Sequence, residues 1–394
     1  MIKGDKVRPL IIKGDIYFSK NILGKIIKNK SSEIKDNCIQ VLTLNNLDKF
    51  QKGYSCYIFE SNKICNHIKQ YLEQNLITYL INVKSADTLC ENDVIEIHGN
   101  SGIINILYRD DSYDNVLVLT NQCNSNCIFC PESINYRKRK NFNNVERIKK
   151  IIDLIPSDTH SLCITGGEPT LYKEKLFEIL RSCKEKFQNT NFIMLSNGRM
   201  FYYKDYAINY VKSRPNGTVI AIALHGNNST VHDMSTRVNN SFKQTITGLK
   251  NLYDLGEKIE IRIVVNKLNY KILPSMAKMI SKNFPNIFRV NIMGLEMLGN
   301  AALNKEKVWI NFNESSKFVN KAVCILLLNG ITTNLYNFPL CYINKELWQI
   351  SAKSISDYKV RYTEKCLDCK VKNLCGGFFE STYKLGKVNV KPVK

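Results

Sequence analysis

The sequence predicts an α/β protein: a partial (β/α)6 barrel over residues 113–335, preceded by a small α+β domain over 1–112 and followed by a cysteine-rich appendage over 336–394. Three observations predict it. Six apolar runs rich in Val and Ile alternate with amphipathic stretches through the middle of the chain, as parallel strands buried on both faces do. Shorter strand-like pieces separated by turn residues fill the first hundred positions. Seven of the 14 cysteines fall in two constellations, at residues 123–130 and 341–375.

In the first region the strand-like pieces are Val7–Ile12, Ile39–Leu44, Tyr54–Phe59, Thr78–Val83 and Val94–Tyr108. The last contains Asn100-Ser101-Gly102, a turn signal that makes it a hairpin. A helix is expected over Asn66–Gln74. Nothing here carries recognisable chemistry, so the region is expected to be structural or to dock substrate.

In the barrel region the strands are Asn115–Thr120, Leu162–Gly166, Phe192–Asn197, Val219–Leu224, Ile259–Val265 and Arg289–Gly294. Helices are expected at Val145–Ile155, Glu174–Phe187, Phe242–Leu255 and Ser315–Leu328, with Gly256 and Gly330 as C-terminal stops. Chemistry in such folds sits beyond the C-terminal ends of the strands, and every unusual motif of this region falls there.

The 394 residues, 44% hydrophobic and 23% charged, can bury a sizeable core without disulfide staples. No apolar run approaches the roughly 20 residues a bilayer span needs, and the N-terminus lacks a secretory pattern, so a cytoplasmic protein without membrane contact is expected. In a reducing compartment cysteines serve as metal ligands, catalytic groups or small buried hydrophobes. The scattered Cys38, Cys56, Cys65, Cys90, Cys163, Cys183 and Cys324 are read as the last kind or as bystander thiols. The net charge of +21 comes from lysines spread along the chain. Its densest run, Arg137-Lys138-Arg139-Lys140, follows the first cysteine group and suits peptide or cofactor handling. The same charge suits an RNA partner, but no recognisable RNA-binding module accompanies it.

The first group is Cys123-Asn-Ser-Asn-Cys127-Ile-Phe-Cys130, directly after the first barrel strand. Three thiolates on one short loop can hold three irons of a [4Fe–4S] cube and leave the fourth iron open. A zinc site would carry two Cys or Cys/His pairs, and an electron-transfer ferredoxin four ligands. After the second strand comes Thr165-Gly166-Gly167-Glu168-Pro169, where two glycines allow close backbone approach and a carboxylate faces a cation. The third strand ends Ser196-Asn197-Gly198, read as a ribose or carboxylate contact or as a capped turn. The fourth ends at His225-Gly226 and is followed by His232-Asp233 and Arg237. His225 is read as a substrate-facing proton carrier or a structural hydrogen-bonding group. On the fifth strand the apolar pair Val264 and Val265 is read as an adenine contact or as core, and Leu295 or its neighbours after the sixth are placed near adenine.

The spacing C-x3-C-x2-C with Phe129 before the third cysteine, together with GGEP, resembles the radical S-adenosylmethionine (SAM) superfamily. The resemblance implies that Cys123, Cys127 and Cys130 hold the cluster and that SAM binds its open iron. It implies that Gly166, Gly167 and Glu168 meet the SAM ammonium and that Arg237 pairs with its carboxylate. The implied reaction is reductive cleavage of SAM to a 5′-deoxyadenosyl radical that removes hydrogen from a substrate, with an electron donor such as flavodoxin or ferredoxin.

The second constellation is Cys341, Cys366, Cys369 and Cys375, spaced C-x24-C-x2-C-x5-C. Four thiolates can close a second [4Fe–4S] cluster or hold zinc. The pattern resembles the twitch/SPASM extension of peptide-modifying radical SAM enzymes, in the shorter style, since Phe379 stands where a further ligand would fall. The stretches CNSNCIFCPES, ITGGEPTL, IMGLEMLGNA and CGGFFES are similar to the C-type radical SAM maturases of the His-Xaa-Ser system. That resemblance implies a ribosomally made precursor peptide as substrate and a partner maturase of the same superfamily. The competing expectations are an RNA-modifying radical SAM enzyme and a non-catalytic iron–sulfur partner.

Overall fold

The structure is a computed structural model that describes residues 9–18, 20–29, 36–139, 143–355, 359–385, 388 and 390–394. It divides into two compact units, one within Met1–Leu117, Asn143–Cys163 and Glu178–Phe192, the other within Val118–Phe142, Ile164–Phe177 and Ile193–Lys394.

The first unit is organised by strands β1 (Ile11–Lys13), β2 (Asp15–Tyr17), β3 (Ile22–Ile27), β4 (Cys38–Leu42), β5 (Cys56–Phe59), β6 (Thr78–Ile81), β7 (Val94–His98) and β8 (Ile103–Tyr108), in the spatial order β1-β8-β7-β3-β4-β5-β6-β2. β1 and β2 lie at opposite ends of that order yet are separated in sequence by Gly14 alone, so the extended segment from Ile11 to Tyr17 closes the sheet on itself. Gly14 donates its N–H to the Gly102 carbonyl at 3.1 Å, and at both glycines a Cβ would collide with backbone oxygen.

One face of this sheet buries Ile26, Ile39, Val41, Cys56, Ile58, Leu80, Ile95 and Ile104. The helix Asn66–Gln74 sets Ile68 and Leu72 against Tyr57, Phe59 and Tyr79 on the other. The expected hairpin forms as β7 and β8, with Gly102 in left-handed conformation. β2 and β3 were not expected, and residues 7 and 8 of the first expected piece lie outside the described residues. Two ion pairs brace the unit, a buried Arg109–Asp93 pair at 3.3 Å and Arg147–Glu96 at 2.8 Å.

The second sheet holds β9 (Val116–Val118), β10 (Ser161–Thr165), β11 (Asn191–Ser196), β12 (Val219–Ala223), β13 (Lys258–Val264), β14 (Arg289–Met293), β15 (Thr333–Tyr336) and β16 (Ser351–Ala352) in unbroken sequence order. The pairs from β11 to β16 are parallel, the pattern of successive β/α units. The six expected strands are there, and β15 and β16 extend the sheet.

Strand alternation explains the β13 sequence. Ile259, Ile261 and Ile263 share one face, while the buried Glu260 on the other is held between Arg262 and Arg289 at 2.5 Å each. Helices Ser241–Asp254 and Phe312–Leu328 are followed by Gly256 and Gly330 at φ of +74° and +72°, conformations that favour glycine. Helices Lys204–Ser213, Ser229–Thr236 and Leu273–Asn283 were not expected. The third has Pro274 in its first turn and buries Leu273, Met276, Ala277 and Ile280, a helical stripe legible in retrospect. Among the described residues no helix is long and apolar enough to cross a membrane.

Candidate cofactor site and the two cysteine constellations

The loop carrying Cys123, Cys127 and Cys130 leaves β9 and is pinned through its own backbone. Asn126 and Ile128 donate their N–H groups to the carbonyls of Thr236 and Ser235 at the end of helix Ser229–Thr236, each at 2.9 Å. From the other side Asn300 accounts for two bonds, its N–H to the Cys130 carbonyl at 2.9 Å and its Nδ2 to the Cys127 carbonyl at 3.0 Å. Asn304 Nδ2 reaches the Ile128 carbonyl at 3.2 Å. Gly299 makes this approach feasible, because a Cβ there would lie 2.1 Å from the Pro131 carbonyl oxygen.

Two arginines hold the three residues between the first two cysteines. Arg137 donates from Nη1 to the Ser125 carbonyl and from Nη2 to Asn126 Oδ1, both at 2.7 Å. Arg199 Nη1 donates to the Asn124 carbonyl at 2.5 Å, and its Nε to Gln244 Oε1 at 2.6 Å.

The Gly-Gly-Glu segment packs backbone to backbone against this loop. Gly167 donates to the Thr120 carbonyl at 2.7 Å and Glu168 to the Gln122 carbonyl at 2.9 Å. A Cβ on Gly166 or Gly167 would sit 2.4 Å or 2.2 Å from a backbone oxygen of the loop, and Gly166 has φ +150°. The glycines therefore set how close the two segments come.

Glu168 is fully buried. Its Oε1 accepts from the Thr170 N–H, Thr170 Oγ1 and Ser196 Oγ at 3.1, 2.7 and 2.8 Å, and its Oε2 accepts from the Asn197 N–H at 2.7 Å. Burial nevertheless pushes its pKa up from the ordinary carboxylate value, and among the described residues it has no ion-pair partner. Oε2 keeps an acceptor position open. A buried carboxylate that lacks a cation fits an ammonium ligand. Asn197 extends the network, donating from Nδ2 to Asn124 Oδ1 at 2.7 Å.

Burial raises the three thiols as well. Cys127 is pushed up to about 12, with Cys123 and Cys130 adding to the effect, and Cys123 up to about 11, with Glu168 adding. Cys130 is also raised, and the Arg137 charge opposes the rise at all three. Three thiols sharing one field, soft donors with too little positive charge nearby, fit iron, which deprotonates its thiol ligands outright. Among the described residues no three His, Cys, Asp or Glu side chains close on a single-ion site, so the fit rests on donor type and shared environment.

The apolar side of the site gathers Ile128, Phe129, Leu295, Met297, Ala301 and Val308. Val264, not Val265, packs against this group, as alternation along β13 requires. The His225 ring lies edge-on to Phe129 with centroids 4.8 Å apart. Its Nδ1 is buried without a hydrogen-bond partner among the described residues, and burial and His232 push its pKa down to about 3. Arg237 stands apart from the Glu168 network. It lines a cavity of about 1100 Å³ with Ile128, Asp233, Met234, Lys267 and Leu268, and donates to Asn304 Oδ1 at 2.7 Å.

The second constellation assembles from segments far apart in sequence. Cys341, Cys366, Cys369 and Cys375 all line one small cavity walled by Leu340, Tyr362, Val371, Phe378 and Val390. The N–H groups of Leu340 and Gly377 each point at Cys375 Sγ at 3.4 Å. Burial raises Cys341 to about 11 and raises Cys375 too.

The structure brings the expected residues Cys123, Cys127, Cys130, Gly166–Glu168, Ser196 and Asn197 together with Arg199, Asn300 and Asn304, to which the sequence expectation gave no role. Gly299 is the signal for the last two, a glycine that opens a short helix where a Cβ would meet the Pro131 carbonyl.

Residues 117–280 match the Radical SAM superfamily. Curated relatives include the Fe-coproporphyrin III synthase of Methanosarcina barkeri, 24% identical over 42% of this chain and 40% of the relative. A probable GTP 3′,8-cyclase of Saccharolobus islandicus is 31% identical over 39% and 48%. The subtilosin biosynthesis protein AlbA of Bacillus subtilis is 27% identical over 41% and 35%. The chain thus spans less than half the length of these relatives. Among solved structures, Streptococcus suis SuiB shares 16% identity at a TM-score of 0.47, covering 67% of this chain and 56% of SuiB. Residues 117–280 thus carry a match to the Radical SAM superfamily, and that match supports an enzyme with a [4Fe–4S] cluster and S-adenosylmethionine as cofactors.

Proposed function

We propose that this chain is a radical SAM peptide maturase that oxidatively modifies a ribosomally made precursor, in the manner of the C-type maturases of the His-Xaa-Ser system. The observation that carries the reading is the second constellation: four cysteines from separated segments lining one apolar cavity. Such a set suits an auxiliary [4Fe–4S] cluster, and one that could accept the electron left over when a substrate radical is oxidised. AlbA, whose name assigns it to bacteriocin biosynthesis, supports a peptide as substrate.

The chemistry the cofactors supply when bound is one-electron cleavage of SAM to a hydrogen-abstracting radical. The chain's residues bind, orient and exclude water. Cys123, Cys127 and Cys130 hold the cluster. The open acceptor position of Glu168 takes the SAM ammonium, and Ser196 and Asn197 keep that carboxylate aimed. Phe129, Leu295 and Val264 give an apolar wall for adenine, with Val265 behind it. Arg237 pairs with a carboxylate at the cavity it lines. His225, held neutral by burial, contributes a hydrogen bond through Nδ1. An electron donor of the flavodoxin or ferredoxin kind and a partner maturase complete the system.

The test is anaerobic reconstitution, with iron, zinc and 5′-deoxyadenosine measured with dithionite, SAM and a precursor peptide bearing His-Xaa-Ser repeats. About eight irons per chain and a peptide lighter by the mass of two hydrogens support the proposal. About four irons with zinc at the second site would remove the auxiliary cluster. 5′-Deoxyadenosine formed without any change in the peptide, even with a partner maturase present, would remove the substrate class.

A further inference from the structure

The basic run after the first cysteine group has no role in the reading above, yet one member of it belongs to the cluster loop. Arg137 sits on the short helix Ile134–Lys138, whose end is tied to the start of the loop: Asn121 Nδ2 donates to the Tyr136 and Arg139 carbonyls, each at 2.9 Å. The two terminal nitrogens of Arg137 are used on Ser125 and Asn126, within the segment joining Cys123 to Cys127. Its Nε is buried and has no hydrogen-bond partner among the described residues. A guanidinium N–H buried without an acceptor is costly, and native structures rarely leave one so.

Arg199 makes the contrast. It grips the same segment at Asn124 and Ser125, but its Nε is satisfied by Gln244. One arginine is therefore complete as a structural clamp, while the other keeps a cationic donor in reserve beside three thiols.

We propose that Arg137 is a positioning residue for the cluster whose guanidinium, through its charge and its Nε–H, stabilises the reduced cluster held by Cys123, Cys127 and Cys130. Cluster potentials respond to net charge and to hydrogen bonds on the sulfurs, and reduction adds one negative charge that a fixed cation favours. The inference rests on the first cysteine set holding the cluster.

The experiment is a redox titration of the full-length, anaerobically reconstituted protein, followed by the electron paramagnetic resonance signal of the reduced cluster. It is run in a Cys341→Ser/Cys366→Ser background, to isolate the first cluster, with iron content measured in parallel. Arg137→Gln is expected to lower the reduction equilibrium constant about tenfold, about 59 mV for one electron. Arg137→Lys should shift it less and in the same direction. Arg199→Gln should lower iron retention and leave the potential of the loaded fraction unmoved. Iron-replete Arg137→Gln at the parent potential overturns the inference, as does an equal shift in Arg199→Gln. If Arg137→Gln does not retain iron, an unmoved potential in Arg137→Lys overturns it instead. Parent protein without iron at the first site would overturn the underlying reading and this inference with it, whereas an unmoved potential in an iron-replete variant overturns this inference alone.

Discussion

Substituting Gly167 by alanine tests the claim that backbone contact, not side-chain chemistry alone, builds the cofactor site. An added Cβ would lie 2.2 Å and 2.6 Å from the Gln122 carbonyl oxygen and carbon, and 2.9 Å from the Asn121 oxygen. All three are backbone atoms, so no rotamer change relieves the overlap. Restoring even a 3.0 Å separation moves the two segments apart by about 0.8 Å, working from the 2.2 Å contact. That strains the bonds from Gly167 N–H to Thr120 and from Glu168 N–H to Gln122. Two strained hydrogen bonds at ~0.5–1.5 kcal/mol each and an overpacking cost of ~1–3 kcal/mol give a loss of about 2–6 kcal/mol. Gly217→Ala is the control: its φ of +73° is strained for alanine, but no atom lies within 4 Å of the new Cβ. It should cost only about 1–2 kcal/mol. The assays are urea unfolding of the apoprotein and iron content after reconstitution. If Gly167→Ala is no less stable than Gly217→Ala and loads as much iron as the parent, the reasoning is refuted.

Other substitutions separate the remaining claims. Cys127→Ala should abolish 5′-deoxyadenosine formation and remove about half the iron, whereas Cys375→Ser should remove the other half and leave SAM cleavage in place; a shared loss from either variant would contradict two separate sites. His225 and His232 are held at about 3 and about 4, below the ordinary histidine value of 6.5. The unfolded chain therefore binds more protons between those values, so stability rises with pH across that window and is lost as pH falls from 6.5 towards 4, by up to ~3 kcal/mol for His232. Urea midpoints at pH 7, 6, 5 and 4.5 check this, and His225→Phe should flatten the slope. Arg109→Met strands the buried Asp93 carboxylate and should cost about 3–5 kcal/mol, read as a lower thermal midpoint.

How much of this was legible follows from what each feature depends on. The cysteine loop and Gly166–Glu168 are local, since ligand spacing and glycine tolerance are written in consecutive residues. Parallel strands are legible because burial on both faces demands unbroken apolar runs. Arg137, Arg199, Asn300 and Asn304 act by donating to backbone carbonyls far along the chain, and a carbonyl leaves no trace of itself in the sequence. Glu260 is the reverse case: a charge in an apolar strand is explained only when Arg262 and Arg289 arrive from the same face. β2 and β3 were missed because Asp15–Tyr17 is short and Gly24 interrupts the apolar run of Ile22–Ile27.

The closed circuit of the first sheet carries a consequence for biosynthesis. The segment from Ile11 to Tyr17 leaves the ribosome well before one of its two partners, β8, which ends at Tyr108. The 91 residues from Tyr17 to Tyr108 take about 5–18 s to add at 5–20 residues per second. Through that interval Ile12 and Ile16 have no complete barrel to enter. The nascent chain must therefore carry its opening strand unpaired on one side until the eighth emerges, and the unit's stability arrives in one late step when Gly14 meets Gly102.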